Sequence, residues 1–501
     1  MKSNKVSKFR IILPQILACV AKNLILIDIG MSIVFPSIVI PILQGTNPER
    51  RGSEELLRFT DSQASWFGSL AFVCQPIGCI LSGWVTERLG RKRAMIVVNF
   101  PHIAAWLLLH NASSVTEMYA AAVILGLGVG FMETPVISYI GEICQPSIRG
   151  ILTATTGVAA TLGYSIVYLL GSVTTWRQSA LFCLSIPILT IFAILFLPES
   201  PMFLISRQKE EKAMRSLQWL RGWVPQQHVQ EEFQQLKKFH ASRKDAQDSD
   251  NSTIVWTKAT LKPFFIVTMF FVFTQMSGLA GMRPYLVQIF HTYQIPVDPN
   301  WATFIVGLLK LSGNIFCMIC VKFLGKRRIT LISAAGVAMS CFAIGAYAFL
   351  HFPPGTSSFG QHPRVVNPNG IYPLVGFFVL SFLTSFGIAP LPWVLLSEIL
   401  PFRSRGLTSG ISAAINYILV FVASKTYLNL EQGLSMHGVI WFYASVGTIG
   451  FIFHYFLLPE TEDRTLEEIE EHFSTQKITN IHISKTNHSS DQEKDEVYPL
   501  A

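Results

Sequence analysis

Residues 141–150 read GEICQPSIRG, and residues 397–406 read SEILPFRSRG. Each closes a long apolar run, and in each a glutamate precedes an arginine by the same spacing: Glu142 and Arg149, Glu398 and Arg405. Two further pairs repeat in the same way. ERLGRKR (87–93) answers KFLGKRR (322–328), and LPESP (197–201) answers LPETE (458–462). In every case the second copy lies about half the chain further on, at the same place among the apolar runs. Such internal order marks a duplicated architecture.

The runs themselves set the class. Of 501 residues, 50% are hydrophobic and 14% charged, where a soluble domain carries about 25% charged residues. Polar residues collect between apolar stretches of about 20 residues, the length of a membrane-spanning helix. Twelve are expected, over 14–43, 63–85, 94–111, 115–141, 150–172, 178–197, 262–290, 302–324, 329–351, 372–397, 407–427 and 436–458. The expected organisation is a short N-terminus (1–13), a six-helix bundle (14–198), a charged linker with short helices (199–261), a second six-helix bundle (262–458) and a polar tail (459–501), disordered beyond about 475. Within the linker, RQKEEKAMRSLQWLRG has helical apolar spacing at Ala213, Leu217 and Leu220. Two pseudo-symmetric bundles of six helices suit a carrier that holds its substrate between them at mid-membrane.

The formal charge of +8 raises the question of nucleic acid, but its distribution answers it. Lys2, Lys5, Lys8 and Arg10 lie at the N-terminus, Arg88, Arg91, Lys92 and Arg93 after the second run, Arg149 after the fourth. Lys326, Arg327 and Arg328 follow the eighth, Arg403 and Arg405 the tenth. All fall on one side of a membrane, and NPERRGSEELLRFTD on the other is mixed in charge. By the positive-inside rule both termini are expected in the cytoplasm. The first run is too long for a signal peptide and lacks a cleavage site.

The eight cysteines lie in or beside apolar runs. Cys317 and Cys320 form a CxxC on one helix, where packing is the simpler role. The sequon at Asn111 faces outside; those at Asn251 and Asn487 fall on the cytoplasmic side. No P-loop, metal cluster or nucleophile motif is present, so no enzymatic activity, metal or cofactor is expected.

As a set, the motifs resemble a sugar porter of the major facilitator superfamily over about residues 15–470. They are ERLGRKR, PESP (198–201), Gln275-x-Ser277-Gly278, PLPW (390–393), SEILPFRSRG and LPETEDRTLEEIEEHF (458–473). GFMETPVISYIGE (130–142) and RPYLVQIF (283–290) bring it close to insect transporters of the facilitated trehalose transporter-like group. The resemblance implies an all-α membrane protein of the major facilitator fold. It implies a monomer in the plasma membrane, with a small-molecule sugar and the lipid bilayer as partners. It also implies an inner gate in which Arg88, Gly90, Arg91, Glu142, Arg149, Glu199, Glu398, Arg405 and Glu460 lock the two halves together when the inside is shut. The plainer alternative is that these charges only set topology.

The resemblance further implies that the seventh run is a broken helix touching the sugar. Gly278, Gly281 and Pro284 weaken it, which a membrane tolerates only where backbone lines a cavity. The expected substrate residues are Thr274, Gln275, Ser277, Tyr285, Lys310, Trp393 and Asn416. Several depart from the family pattern. Thr274 replaces a glutamine, Ala280 an asparagine, Lys310 an asparagine, Gly157 a glutamine and Ser385 a glutamate, and Tyr417 stands for tryptophan. In the second ERxGRR copy Lys322 and Phe323 replace an acid and an arginine, and Ala122 an arginine. Asp28, Glu133, Arg283 and Lys310 are charges inside apolar runs, each needing a cavity or a partner. For Lys310 three roles stand open: a structural pair with Asp28, an anionic or polyol ligand, or a block on transport. Ser32 stands where proton-coupled relatives have aspartate, so facilitated diffusion is the default. The expected function is facilitated transport of trehalose or a hexose by alternating access. The alternatives are a sugar sensor on a transporter fold, or a carrier of a polyol or anionic sugar, with or without protons.

Overall fold

The computed structural model describes residues 7–45, 57–249, 258–353, 355–359, 369–400, 405–462, 468 and 473. Lys2, Lys5, Arg403, the Arg405 side chain, the sequons at Asn251 and Asn487 and the tail beyond 475 lie outside the described residues.

Ten helices are long and apolar enough to cross a membrane, and a broken pair, Thr260–Met276 with Leu279–Thr292, adds another at a 47° bend. The last of the ten, Thr408–Leu457, is two crossings joined at Ser435, whose φ of 60° is non-helical. Twelve crossings result, in two six-helix bundles, and among the described residues there is no strand. The first span runs Lys8–Val34 and continues as Pro36–Leu43. The second to sixth are Asp61–Leu89, Arg91–Asn111, Val115–Ile143, Pro146–Val173 and Trp176–Leu195. The eighth and ninth are Pro299–Leu324 and Lys326–His351.

Local sequence sets the ends. The second, fourth and sixth spans open with capping boxes, Thr60 with Gln63, Ser114 with Glu117 and Thr175 with Gln178. Each box satisfies first-turn N–H groups that have no intrahelical partner. Asp298 caps the eighth span through Asn300 and Trp301. The linker forms Pro201–Ser206, Glu210–Leu220 and Gln230–Ser249. Its Ala213, Met214 and Leu217 share a small core with Val229 and Phe233. Arg221 fastens it to the first bundle, donating to Ile143 O at 3.1 Å and pairing with Glu232 at 2.6 Å.

Within the first bundle two seams bring backbones into contact. A Cβ on Gly30 would stand 2.0 Å from Ala160 O, and one on Gly163 2.1 Å from Ile27 O. The second and fourth spans meet likewise, with a Cβ on Gly126 2.2 Å from Ala71 O and one on Gly130 2.0 Å from Gln75 O. Small residues of this kind let membrane helices pack without a hydrophobic drive between them. Large apolar side chains such as Ile80, Phe196, Phe323 and Met339 are left exposed on the spans or at their ends. Between the bundles the fifth span runs along the eighth, and the second along the eleventh.

Gly163→Leu is expected to force the first and fifth spans apart and to cost about 1–3 kcal/mol or more. Thermal unfolding in detergent measures this. Gly410→Leu, where a Cβ would meet nothing within 4 Å, is the control. Equal midpoints for the two variants would contradict the packing described.

Candidate functional site

The duplicated motifs fold into duplicated clusters at the end of the molecule that carries the N-terminal helix start. Gly90, with φ 94°, turns the chain into the third span, and the next two N–H groups, of Arg91 and Lys92, donate to Glu199 Oε1 at 3.0 Å each. A side chain on Gly90 would collide with that carboxylate, its Cβ falling 2.5 Å from Glu199 Oε2. The Arg91 guanidinium grips Glu142 through Nη2 at 2.8 Å and Nε at 3.0 Å, and the Ser200 hydroxyl binds the other Glu142 oxygen.

The second half repeats this arrangement with different side chains. Gly325 has φ 79°, and the N–H groups of Lys326 and Arg327 donate to Glu460 at 2.9 and 3.1 Å. A Cβ on Gly325 would fall 2.5 Å from Glu460 Oε2. Lys326 takes the place of Arg91, reaching Glu398 at 2.9 Å and Glu462 at 2.7 Å, and Thr461 takes that of Ser200, donating to Glu398 at 2.8 Å. The remote glutamate thus caps a helix whose first N–H groups would otherwise be bare.

In the conformation described, with the opposite end closed, these clusters do not bridge the halves. Among the described residues every ion pair made by Arg91, Glu142, Lys326 and Glu398 stays inside its own half. Arg88 lies over the Trp84 ring at 4.0 Å, and exposed Arg149 donates to Cys144 O at 3.2 Å. Contacts between the halves lie elsewhere. At the opposite end Gln288 bonds Gln44, Ser65 donates to Lys425 O at 3.2 Å, and Pro284 packs on Gly68.

The centre is built on two breaks. The seventh span stops at Met276 and turns through Gly278, φ 125°, into Leu279–Met282, a 3-10 turn Arg283–Tyr285 and Leu286–Thr292. The tenth span, Ile371–Leu383, passes through a π-turn at Thr384–Ile388 into Leu391–Glu398. The Thr274 hydroxyl donates to Ile388 O at 3.1 Å and so ties one break to the other. Beside it Gln275 Nε2 donates to Asn416 Oδ1 at 2.7 Å. Trp393 stands edge-on to Phe271, 5.0 Å away, and 6.2 Å from Tyr417. The Tyr417 hydroxyl crosses to the first half and donates to Glu133, which also accepts from Cys79 at 3.8 Å.

Of the expected substrate residues, Gln275, Asn416 and Trp393 fall together. Thr274, Ser277 and Tyr285 are buried with their oxygens engaged on backbone carbonyls: Ile388 O, Thr274 O at 3.1 Å and Ser424 O at 3.4 Å. Lys310 sits at another corner, its ammonium 5.1 Å from the Tyr164 ring, with Arg283 5.7 Å from the same ring. Asp28 does not pair with Lys310. It accepts from Trp106 Nε1 at 2.9 Å and lies 2.5 Å from His102 Nδ1, all inside the first bundle. Among the described residues no carboxylate forms an ion pair with Lys310. A charge at that depth costs at least about 2.5–3.5 kcal/mol, and one cation–π contact returns about 0.5–2 kcal/mol.

Sequence reasoning missed Lys22, which is buried in the first span and donates to Thr156 at 3.1 Å, with Asn23 donating to Thr155 at 2.9 Å. The Lys-Asn pair interrupting an apolar run was the available signal. It also missed Thr161 and Asn314, which bond across the halves at 3.4 Å.

A carrier of two pseudo-symmetric bundles with a polar centre at their seam is the class that this geometry defines. The chain belongs to the family described as Sugar (and other) transporter, whose profile matches residues 25–473. It is 30% identical over 460 residues to the facilitated trehalose transporter Tret1 of Apis mellifera ligustica, covering 92% of this chain and 88% of that one. It is 28% identical over 456 residues to Tret1 of Polypedilum vanderplanki, covering 91% and 87%. Among solved structures it superposes on the inward-open xylose transporter XylE from E. coli with a TM-score of 0.71 at 20% identity, covering 92% of this chain and all (100%) of that one. The proton:xylose symporter XylE bound to 6-bromo-6-deoxy-D-glucose gives 0.69 at 21%, covering 92% and 99%.

Glu460→Ala removes the acceptor of the Lys326 and Arg327 N–H groups and is expected to lower stability by about 1–3 kcal/mol. Glu460→Gln, which keeps one acceptor oxygen, is expected to lose less. Thermal unfolding of the two variants in detergent checks the order, and the reverse order would remove the capping role.

Proposed function

We propose that this membrane carrier moves trehalose or a hexose by facilitated diffusion, through alternating access of a site between the two bundles. The observation that carries the reading is the Gln275–Asn416 amide pair, with Trp393 against the rings of Phe271, one turn from Gln275, and Tyr417, next to Asn416 in the chain. An amide pair offers donors and acceptors to sugar hydroxyls, and an indole ring offers an apolar face. The names of the similar insect proteins support the trehalose reading. The basic inner loops support cytoplasmic termini, and we place the protein in the plasma membrane as a monomer.

In this reading the charge clusters set the gate by stiffening each half, so that the halves rock as units. The contacts of Gln44 with Gln288 and Ser65 with Lys425 close the outer end in the conformation described. Proton coupling is not part of the proposal. Ser32, at the position where coupled relatives have an acid, donates to Asp28 O at 2.9 Å, and the Asp28 carboxylate is engaged by Trp106 and His102.

Liposomes holding the protein are expected to take up labelled trehalose or glucose down its gradient, at a rate that a pH gradient does not change. Gln275→Ala and Asn416→Ala are each expected to lower uptake about 2–10-fold, the worth of one hydrogen bond at about 0.5–1.5 kcal/mol. Unchanged uptake in both would displace the site. Acceleration by an inward proton gradient would overturn facilitated diffusion.

A further inference from the structure

We propose that the corner formed by Arg283, Lys310 and Tyr164 binds the anionic group of an acidic sugar, a carboxylate or a phosphate; the proposal rests on the sugar-carrier reading above. Two cations face one ring here. The Lys310 ammonium and the Arg283 guanidinium stand 5.1 and 5.7 Å from the centre of Tyr164. Lys310 comes from the eighth span, Arg283 from the broken part of the seventh, and Tyr164 from the fifth, so the corner lies on the seam between the bundles.

The charges are not balanced within the protein. Lys310 is 5% exposed, and among the described residues it makes no ion pair. Arg283 Nε is buried without a hydrogen-bond partner. The other charges buried in the spans are treated differently. Asp28 has His102 and Trp106, Glu133 has Tyr417 and Cys79, and Lys22 has Thr156. A buried lysine beside the same ring as a half-buried arginine, with no counter-charge paired to it, is unfavourable unless a ligand supplies one. A carboxylate or phosphate does so, and a guanidinium presents it with a forked donor set.

One turn along the eighth span from Lys310, Asn314 faces Thr161, and a Cβ on Gly157 would meet only Asn314 Oδ1, at 3.7 Å. An amide and a hydroxyl thus lie along the seam one turn from Lys310.

The test uses the full chain, purified in detergent for binding and placed in liposomes for uptake. Calorimetry compares D-glucuronate, glucose 6-phosphate and glucose. Wild type is expected to bind at least one acidic sugar about tenfold or more tighter than glucose; the two arms separate carboxylate from phosphate. Lys310→Met and Arg283→Met are each expected to abolish the preference, and Lys310→Arg to keep it. Equal binding of all three sugars by wild type overturns the proposal, even if no variant folds. So does a preference that survives both methionine variants. Uptake of glucose or trehalose without binding of either acidic sugar overturns the proposal and leaves the carrier reading standing. Lys310-dependent binding of an acidic sugar, with no sugar entering liposomes, upholds the site and removes the carrier reading.

Discussion

The constraint on which the centre of this molecule depends is that lipid offers no replacement for a lost backbone hydrogen bond, and each unsatisfied group costs several kcal/mol. The chain breaks its helices at mid-membrane all the same, at Gly278 and at the π-turn Thr384–Ile388. Side chains cover the exposed groups. Thr274 donates to Ile388 O, Ser333 donates to Leu383 O at 2.6 Å, and Ser333 Oγ accepts from Ile388 N at 3.0 Å. Cys341 approaches Ser277 O at 3.8 Å. Because the Thr274 bond links the two breaks, the adjacent Gln275 is held in register with Asn416 and Trp393. The polar centre is thus a consequence of how the breaks are mended.

Mending also divides the labour among polar residues. Those that look alike in sequence differ by whether backbone claims them. Thr274, Ser277 and Tyr285 serve carbonyls, while the Gln275–Asn416 pair bridges side chain to side chain. The charge clusters follow the same logic at the helix ends. Glu199 and Glu460 replace missing helical acceptors, and Arg91 and Lys326 then fix the neighbouring Glu142 and Glu398. Charges placed this way make each bundle rigid, which is what a motion of whole halves requires.

Much of the fold was legible because it is written twice. The paired motifs marked the duplication, and apolar runs of bilayer length marked the crossings, including the bent seventh and the eleventh and twelfth that meet at Ser435. The helix beginning at Glu210 followed from its apolar spacing. Partners across space were not legible. Nothing near Asp28 in the chain announces His102 or Trp106, which engage its carboxylate where Lys310 was expected. The reach of Arg91 to Glu142 rather than across the seam was hidden for the same reason. Motif copies show that two charges recur together, and do not show which copy each one faces.

The polar bonds that join the halves, among the described residues, are weak ones beside a shared apolar core. The seam carries neutral or singly charged hydrogen bonds: Tyr417 to Glu133, Asn314 to Thr161, Gln288 to Gln44 and Ser65 with Lys425. A neutral bond of this kind contributes about 0.5–1.5 kcal/mol net, and one to a charged group about 1.5–3 kcal/mol. Several such bonds exchanged for a similar number in another arrangement leave a difference of a few kcal/mol between states. A ligand can shift that difference only through unequal contacts in the two states. Gln275, Asn416 and Trp393 all belong to the second bundle, so a sugar touching them alone would ride with one half. Along the seam the first bundle offers Glu133, which meets Tyr417, Thr161, which meets Asn314, and Tyr164, which meets Lys310 and Arg283. It is contact with these that would let a bound sugar sense the angle between the halves.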